Sequence, residues 1–265
     1  ESKDYGHGEK EAKRFGLALA AALGVDSQWM ETAYEDVFYY LWKEKRLPID
    51  VDVLESNLKD EMERDRIARI FTKGLGSVVG FALPLKRDWD GDELRWRSGP
   101  WFLRDEHMFL IPGDSPMGLR LPLDSLPWVA ERDYPWPNLA DPMSSWPALP
   151  PRPPSRQAFL RPVADWLRDT PFTSEAMSLN PQGKPEPRGE KPASSSKPPP
   201  PPVDQLPLHG QSASWVIRTA ICFEPRHGRL HIFMPPVEKL EDYLDLIAAI
   251  EDTAATLKIP IIIEG

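Results

Sequence analysis

The chain of 265 residues is long enough for one large or two small domains, each with a sizeable core. Its 41 Asp and Glu outnumber 32 Lys and Arg for a net charge of -9, which argues against nucleic acid and anionic membrane as partners. A single cysteine, Cys222, rules out an internal disulfide and a cysteine-built zinc site. No apolar run approaches the ~20 residues of a membrane span, and with no disulfide to form, a cytoplasmic location is the default expectation.

Phe15, Leu19 and Leu23 recur every four residues with Ala18 and Ala22 beside them, and Gly24 follows as a stop, which predicts an amphipathic helix over 9–23. Asp26 is placed to cap a second helix in which Trp29, Ala33, Val37, Tyr40 and Leu41 share a face, with Lys43, Lys45 and Arg46 at its end before Pro48. Asp60, with Glu63 three residues on, reads as a capping box for a third helix whose face is Ile67, Ile70 and Phe71 and whose end is marked by Gly74 and Gly76. The first eighty residues are therefore expected to be mostly helical.

From Val78 the period shortens. The segments VVGFALPL, ELRWRS, HMFLIP and LRLPL are β-branched or aromatic and bounded by Gly, Pro and Asp, as strands of an antiparallel or mixed sheet would be. Most of the 31 prolines fall between 133 and 207, and the tract SSSKPPPPP lies among them, so polyproline II and disorder are expected there. RQAFLRPVADWL at 156–167 reads as a short docking element inside that stretch. Order is expected to resume at Ser214 with a strand over 215–224, a turn at Pro225-Arg226-His227-Gly228, a strand over 229–234, a helix from about 237 to 257 and a strand over 259–264. The chain begins on Glu1 without an initiator Met and stops on Ile261-Ile262-Ile263-Glu264-Gly265, which reads as a strand cut where it should enter a loop. A piece of a longer protein is expected.

Two motif-dense blocks carry the candidate chemistry. In GDSPMG at 113–118, two glycines bracket Asp114, Ser115 and a proline, and Arg120 follows at once. Such a turn can aim amides and a hydroxyl at an anion with a guanidinium fork beside them, or simply join two strands. It lacks the Gly-Lys-Ser/Thr ending of a P-loop. In the second block, alternation puts Thr219, Ile221 and Phe223 on the core face and Arg218, Ala220, Cys222 and Glu224 on the other. A four-residue loop sets Glu224 opposite Arg229 and Cys222 opposite His231, whereas a tighter loop sets Glu224 opposite His231. A cysteine, histidine and carboxylate on one face suggest a thiol nucleophile, but a mid-strand cysteine is a poor one and reads as packing. Arg218 and Glu224 are roughly 20 Å apart at strand rise and cannot hold one small group. Glu238, Glu241, Asp242 and Asp245 read as the solvated face of a helix, and His7 and His209 lack metal-ligand partners at useful spacing.

The runs AYEDVFYYLWKEKRLPIDVD, FLIPGDSPMGLRLPLDSLPW and RTAICFEPRHGRLHIFMPPVEKLEDYLDLIAAIE resemble the middle of large bacterial transglutaminase-like proteins, whose C-terminal region is an amidoligase of the carboxylate–amine ligase type, distantly related to glutamine synthetase. The resemblance implies a parent with a Cys-His-Asp transglutaminase domain followed by an ATP- and Mg²⁺-dependent region that forms amide bonds in peptide tagging or modification. It also implies a peptide or small amine or carboxylate substrate, and the remainder of the parent chain, as partners. No Cys-Trp segment is present for Cys222 to inherit a transglutaminase role, and the family's later glutamate-bearing strands would follow Gly265. Asp114, Ser115, Arg120, Arg218, Glu224, Arg226 and Glu264 sit in the matching motifs: Glu224 and Glu264 as catalytic candidates, the others as substrate-binding ones.

The expected fold class is α+β. A helical subdomain spans 1–77, a β-rich segment 78–130, a proline-rich linker 131–213 and a ββαβ unit 214–265. Two functions compete: a substrate cleft of an amide-forming ligase, inactive by itself, or a non-catalytic module docking a partner through the aromatic helix or a polyproline tract. Arg120, Glu224 and Glu264 around one pocket would favour the first, and dispersed positions with an exposed aromatic patch the second.

Overall fold

The computed structural model describes residues 3–54, 61–90, 93–104, 107–134 and 204–265. The element expected at 156–167, the helix cap expected at Asp60 and nearly all of the proline-rich stretch lie outside them. The fold is α+β, as its sequence predicts, and its centre is a six-stranded mixed sheet.

Helix α1 (Glu9–Leu23) ends at Gly24, whose φ of 71° is the left-handed cap that glycine enters freely. The second expected helix breaks in two. Asp26 caps only a 3₁₀ turn, Ser27–Trp29, by accepting from the Gln28 amide; Glu31–Glu35 is strand β1, and Asp36 caps the shorter helix α2 (Val37–Glu44) through the Tyr39 amide. Ala33, expected on a helical face, is instead buried between strands β2 (Val78–Pro84) and β5 (Met108–Leu110), paired with Gly80 on one side and Met108 on the other. Helix α3 (Glu61–Lys73) buries Ile67.

Strands β3 (Lys86–Asp90) and β4 (Glu93–Arg97) form a separate hairpin. The segment LRLPL is not a strand: Met117–Arg120 and Leu123–Ser125 are 3₁₀ turns, each directly after a proline that has no amide to give a ladder. Strand β6 (Ala220–Arg226) starts later than expected and runs through Pro225, leaving His227-Gly228 as a two-residue loop to β7 (Arg229–Phe233). Both loop residues have positive φ, 50° and 67°, as a tight hairpin requires. Helix α4 (Leu240–Leu257) crosses back to β8 (Ile261–Glu264), parallel to β7, and the sheet order is β5-β1-β2-β6-β7-β8.

The centre of the sheet is buried on both faces. Phe15 and Leu19 of α1 and Leu246 and Ile250 of α4 pack on Phe81, Ile221, Phe223 and Ile232. On the other face Trp101, Met117, Leu126 and Val216 cover Ala82, Ala220 and Cys222. Ala213 is part of this cover and donates its amide to Trp128 O at 2.9 Å. Two glycines let the turn Met117–Arg120 lie close on the strands: a Cβ on Gly118 would enter the Phe233 ring, and one on Gly80 would come within 2.8 Å of Met117 Sδ.

Two carboxylates of α4 are not solvated as their spacing suggests. Asp245 is 2% exposed and accepts from Trp96 Nε1 at 2.8 Å, while Arg87 Nε lies 3.2 Å from Asp242. Burial pushes the Asp242 carboxyl up despite the Arg87 charge. The β3–β4 hairpin is pinned to α4 by these contacts.

Candidate functional site

Where the apolar cover ends, at Met117 and Gly118 over Phe233, the same sheet face turns polar. The tight hairpin puts Glu224 opposite His231, and Arg226 follows two residues after Glu224 on that face. Parallel pairing of β8 with β7 puts Glu264 opposite Phe233, next along from His231. Four side chains from three adjacent strands thereby converge.

Their contacts are direct. Glu224, 7% exposed, accepts from the Met117 amide at 3.0 Å and faces Arg226 Nε at 3.5 Å. Arg226 Nη2 donates to Glu264 Oε1, and His231 Nδ1 lies 2.8 Å from that oxygen and 2.8 Å from the same Nη2. One nitrogen cannot both donate to Glu264 and accept from Arg226, so the imidazole tautomer is coupled to the position of the guanidinium. Burial pushes the Glu264 carboxyl up, but hydrogen bonds and charge from Arg226 and His231 outweigh it and hold the group below its ordinary range. Arg226 and Glu264, at 27% and 23% side-chain exposure, open the cluster to solvent.

The other sequence-derived residues lie elsewhere. Arg120 is buried: its Nε donates to Ile111 O at 2.7 Å and its Nη2 to Glu35. Beside that pair, burial and the Glu35 charge push the Tyr40 phenol up to about 12. Asp114, on the same loop, accepts from Arg69 at 2.7 Å and faces Arg66, and Ser115 is exposed. Arg218 donates to Pro127 O, lies over the Tyr134 ring, and is lowered by burial. The structure thus joins Glu224, Arg226 and Glu264 and separates them from Arg120, Asp114, Ser115 and Arg218. Cys222 is fully buried opposite Phe233, and burial, then the Glu224 charge, push its thiol up, so it is packing rather than a nucleophile.

The sequence alone presents His231 only as a partner of Cys222 or Glu224. The signal that places it in the site is the hairpin register, which follows once His227-Gly228 is taken as the whole loop.

The ATP and Mg²⁺ implied by the resemblance do not fit the described residues. Glu224 and Glu264 both face Arg226, and among the described residues no three of His, Cys, Asp and Glu gather as a metal site. Nor does GDSPMG offer a phosphate cradle: its Met117 amide serves Glu224, and Arg120 serves Ile111 and Glu35.

The α+β fold and its edge cluster define a protein with a solvent-reaching polar site at the end of a packed sheet. The family described as "Putative amidoligase enzyme (DUF2126)" matches residues 1–265, and the chain belongs to that family. No curated protein and no solved structure matches the chain. Among the described residues no helix is long and apolar enough to cross a membrane.

Proposed function

We propose that the chain forms the substrate-holding side of an ATP-dependent carboxylate–amine ligase, with Glu224, Arg226, His231 and Glu264 lining the place where a peptide or small amine or carboxylate is held. The observation that carries this reading is the convergence of these four groups, two of them reaching solvent, at the edge of a buried sheet in an amidoligase family member. ATP and Mg²⁺ are bound by residues other than those described, and the parent's transglutaminase-like part supplies separate chemistry. Within the described face, Arg226 holds an anionic group of the substrate and Glu264 orients the groups around it.

The test is amine-stimulated ATP hydrolysis by the longest native form of the protein. Arg226→Lys and Glu264→Gln should each lower it at least tenfold while the protein stays folded. Unchanged turnover in both variants would remove the cluster from the ligase site.

A second reading is favoured by α2, whose Phe38 and Trp42 are 76% and 51% exposed, with Arg46 over the Trp42 ring. That face suits a docking module. Phe38→Ala with Trp42→Ala abolishing turnover by the full-length protein, with Arg226→Lys silent, would favour it.

A further inference from the structure

Buried nitrogen and oxygen atoms in folded proteins are nearly always paired. Three that make no hydrogen bond lie within this one cluster: His231 Nε2, Glu264 Oε2 and Arg226 Nε. His231 is 7% exposed, so the bare Nε2 cannot be excused as a solvated atom. Its other nitrogen, Nδ1, is 2.8 Å from Glu264 Oε1, the arrangement in which a carboxylate fixes an imidazole with Nδ1 protonated and Nε2 left as an acceptor. The charged groups around the ring are Glu224 and Arg226 from β6, Arg229 from its own strand and Glu264 from β8. Set side by side, the three unused atoms ask for opposite things. Glu264 Oε2 and Nε2 with Nδ1 protonated each need a donor, and Arg226 Nε, which has only the long 3.5 Å approach of Glu224 Oε2, lacks a hydrogen-bonded acceptor.

A primary ammonium with an anionic group nearby supplies that set. We infer that His231 is the proton acceptor for the amine substrate of this site, with Glu264 as its positioning residue and Arg226 holding the anionic group of the same molecule. The inference rests on the ligase reading above and extends it to the amine. In the reaction, Nε2 takes one N–H proton from the ammonium and exposes the nitrogen lone pair. That pair closes a C–N bond on the acyl carbon of a co-reactant, an acyl phosphate. The C–O bond to phosphate breaks, its electron pair leaves with the phosphate, and the second N–H proton goes to solvent. No atom changes oxidation state. The imidazolium, whose Nδ1–H stays on Glu264, returns its proton to water. Proton transfer of this kind is worth roughly 10² to 10⁴ in rate.

The experiment is ¹⁵N NMR of the whole protein labelled at histidine, because ring nitrogen shifts report the tautomer directly. His231 is expected to show a protonated Nδ1 and a bare Nε2. Methylamine should move the Nε2 resonance, acetate alone should not, and Glu264→Gln should mix the two tautomers. In amine-dependent turnover, His231→Asn retains a donor toward Glu264 but lacks Nε2, and should lose about 10²-fold or more in kcat with little change in KM. A bare Nδ1 accepting from Arg226, or an Nε2 resonance that methylamine never moves, overturns the inference. So does full kcat in His231→Asn. If the tautomer and the methylamine shift hold but no amine stimulates turnover in the unaltered protein, the ligase reading fails while the amine site stands, and only the proton-accepting step is withdrawn with it.

Discussion

Arg120 and Arg226 look alike in the sequence, each placed at the end of an apolar segment beside a turn, and the fold treats them oppositely. Arg120 spends its donors inside the protein: Nε on Ile111 O and Nη2 on Glu35, with 7% of its side chain exposed. Arg226 gives Nη2 to Glu264, faces Glu224 through Nε at 3.5 Å without a hydrogen bond, and keeps 27% of its side chain in solvent. A guanidinium becomes available to a ligand through donors the fold has not used, and position in a motif does not report that.

Removing one member of a buried pair leaves the other as an unpaired charge in low dielectric. Arg120→Gln should therefore cost about 3–5 kcal/mol, since Glu35 is itself only 8% exposed. Urea denaturation reads the loss directly. A cost under about 1 kcal/mol would mean that Arg120 is as replaceable as a surface charge, and the contrast with Arg226 would collapse.

The next effect concerns the turn that carries Arg120 and lies over the strands toward Arg226. Gly118→Ala drives a methyl into the Phe233 ring, which must shift together with the Met117 amide on Glu224. Overpacking of this kind typically costs about 1–3 kcal/mol. The same variant should perturb Glu224 and His231 in NMR spectra while leaving the Arg120–Glu35 pair in place. Equal disturbance of both regions would show that the turn couples them. Cys222→Ala, beneath that turn, removes a small buried group and should cost about 1 kcal/mol or somewhat more, and iodoacetamide should label Cys222 only as the protein unfolds.

The sequence shows much of this fold but little of what distinguishes the arginines. Helix α1 follows from the spacing of Phe15, Leu19 and Leu23, and β2 from a β-branched apolar run buried on both faces. Strand β1 does not follow, because Trp29, Ala33 and Val37 keep a helical spacing and only pairing with β2 and β5 decides otherwise. Asp242 and Asp245 read as solvated because their partners, Arg87 and Trp96, arrive from a hairpin far away in the chain. The same holds at the site. Glu224, Arg226 and Glu264 are visible as motif residues, yet their meeting depends on a two-residue loop and on β8 pairing parallel to β7. The partners that retire Arg120, Glu35 and Ile111 O, likewise come from the tertiary fold.

The smallest expected effect is the sharpest test of the comparison. Arg226→Gln should change stability at neutral pH by no more than about 1 kcal/mol, because its ion pairs are partly solvated. Its signature lies in acid. Glu264 has a folded-state pKa below its ordinary 4.5, so its ionised form favours the folded state. That contribution is complete above the unfolded value and is lost as pH falls through the folded one. Without Arg226 the carboxyl loses its main charged partner and its folded-state pKa moves back up toward the unfolded value, so less stability is lost on acidification and the decline should be shallower than in the unaltered protein. Glu264→Gln removes that component altogether and should likewise make the decline between neutral pH and pH 3 shallower. Urea midpoints measured across that range should therefore fall less steeply in both variants than in the unaltered protein. If both curves overlay the unaltered protein while Arg120→Gln is severely destabilised, Arg226 and Glu264 are not coupled in solution, and the polar cluster loses the interaction on which its chemistry depends.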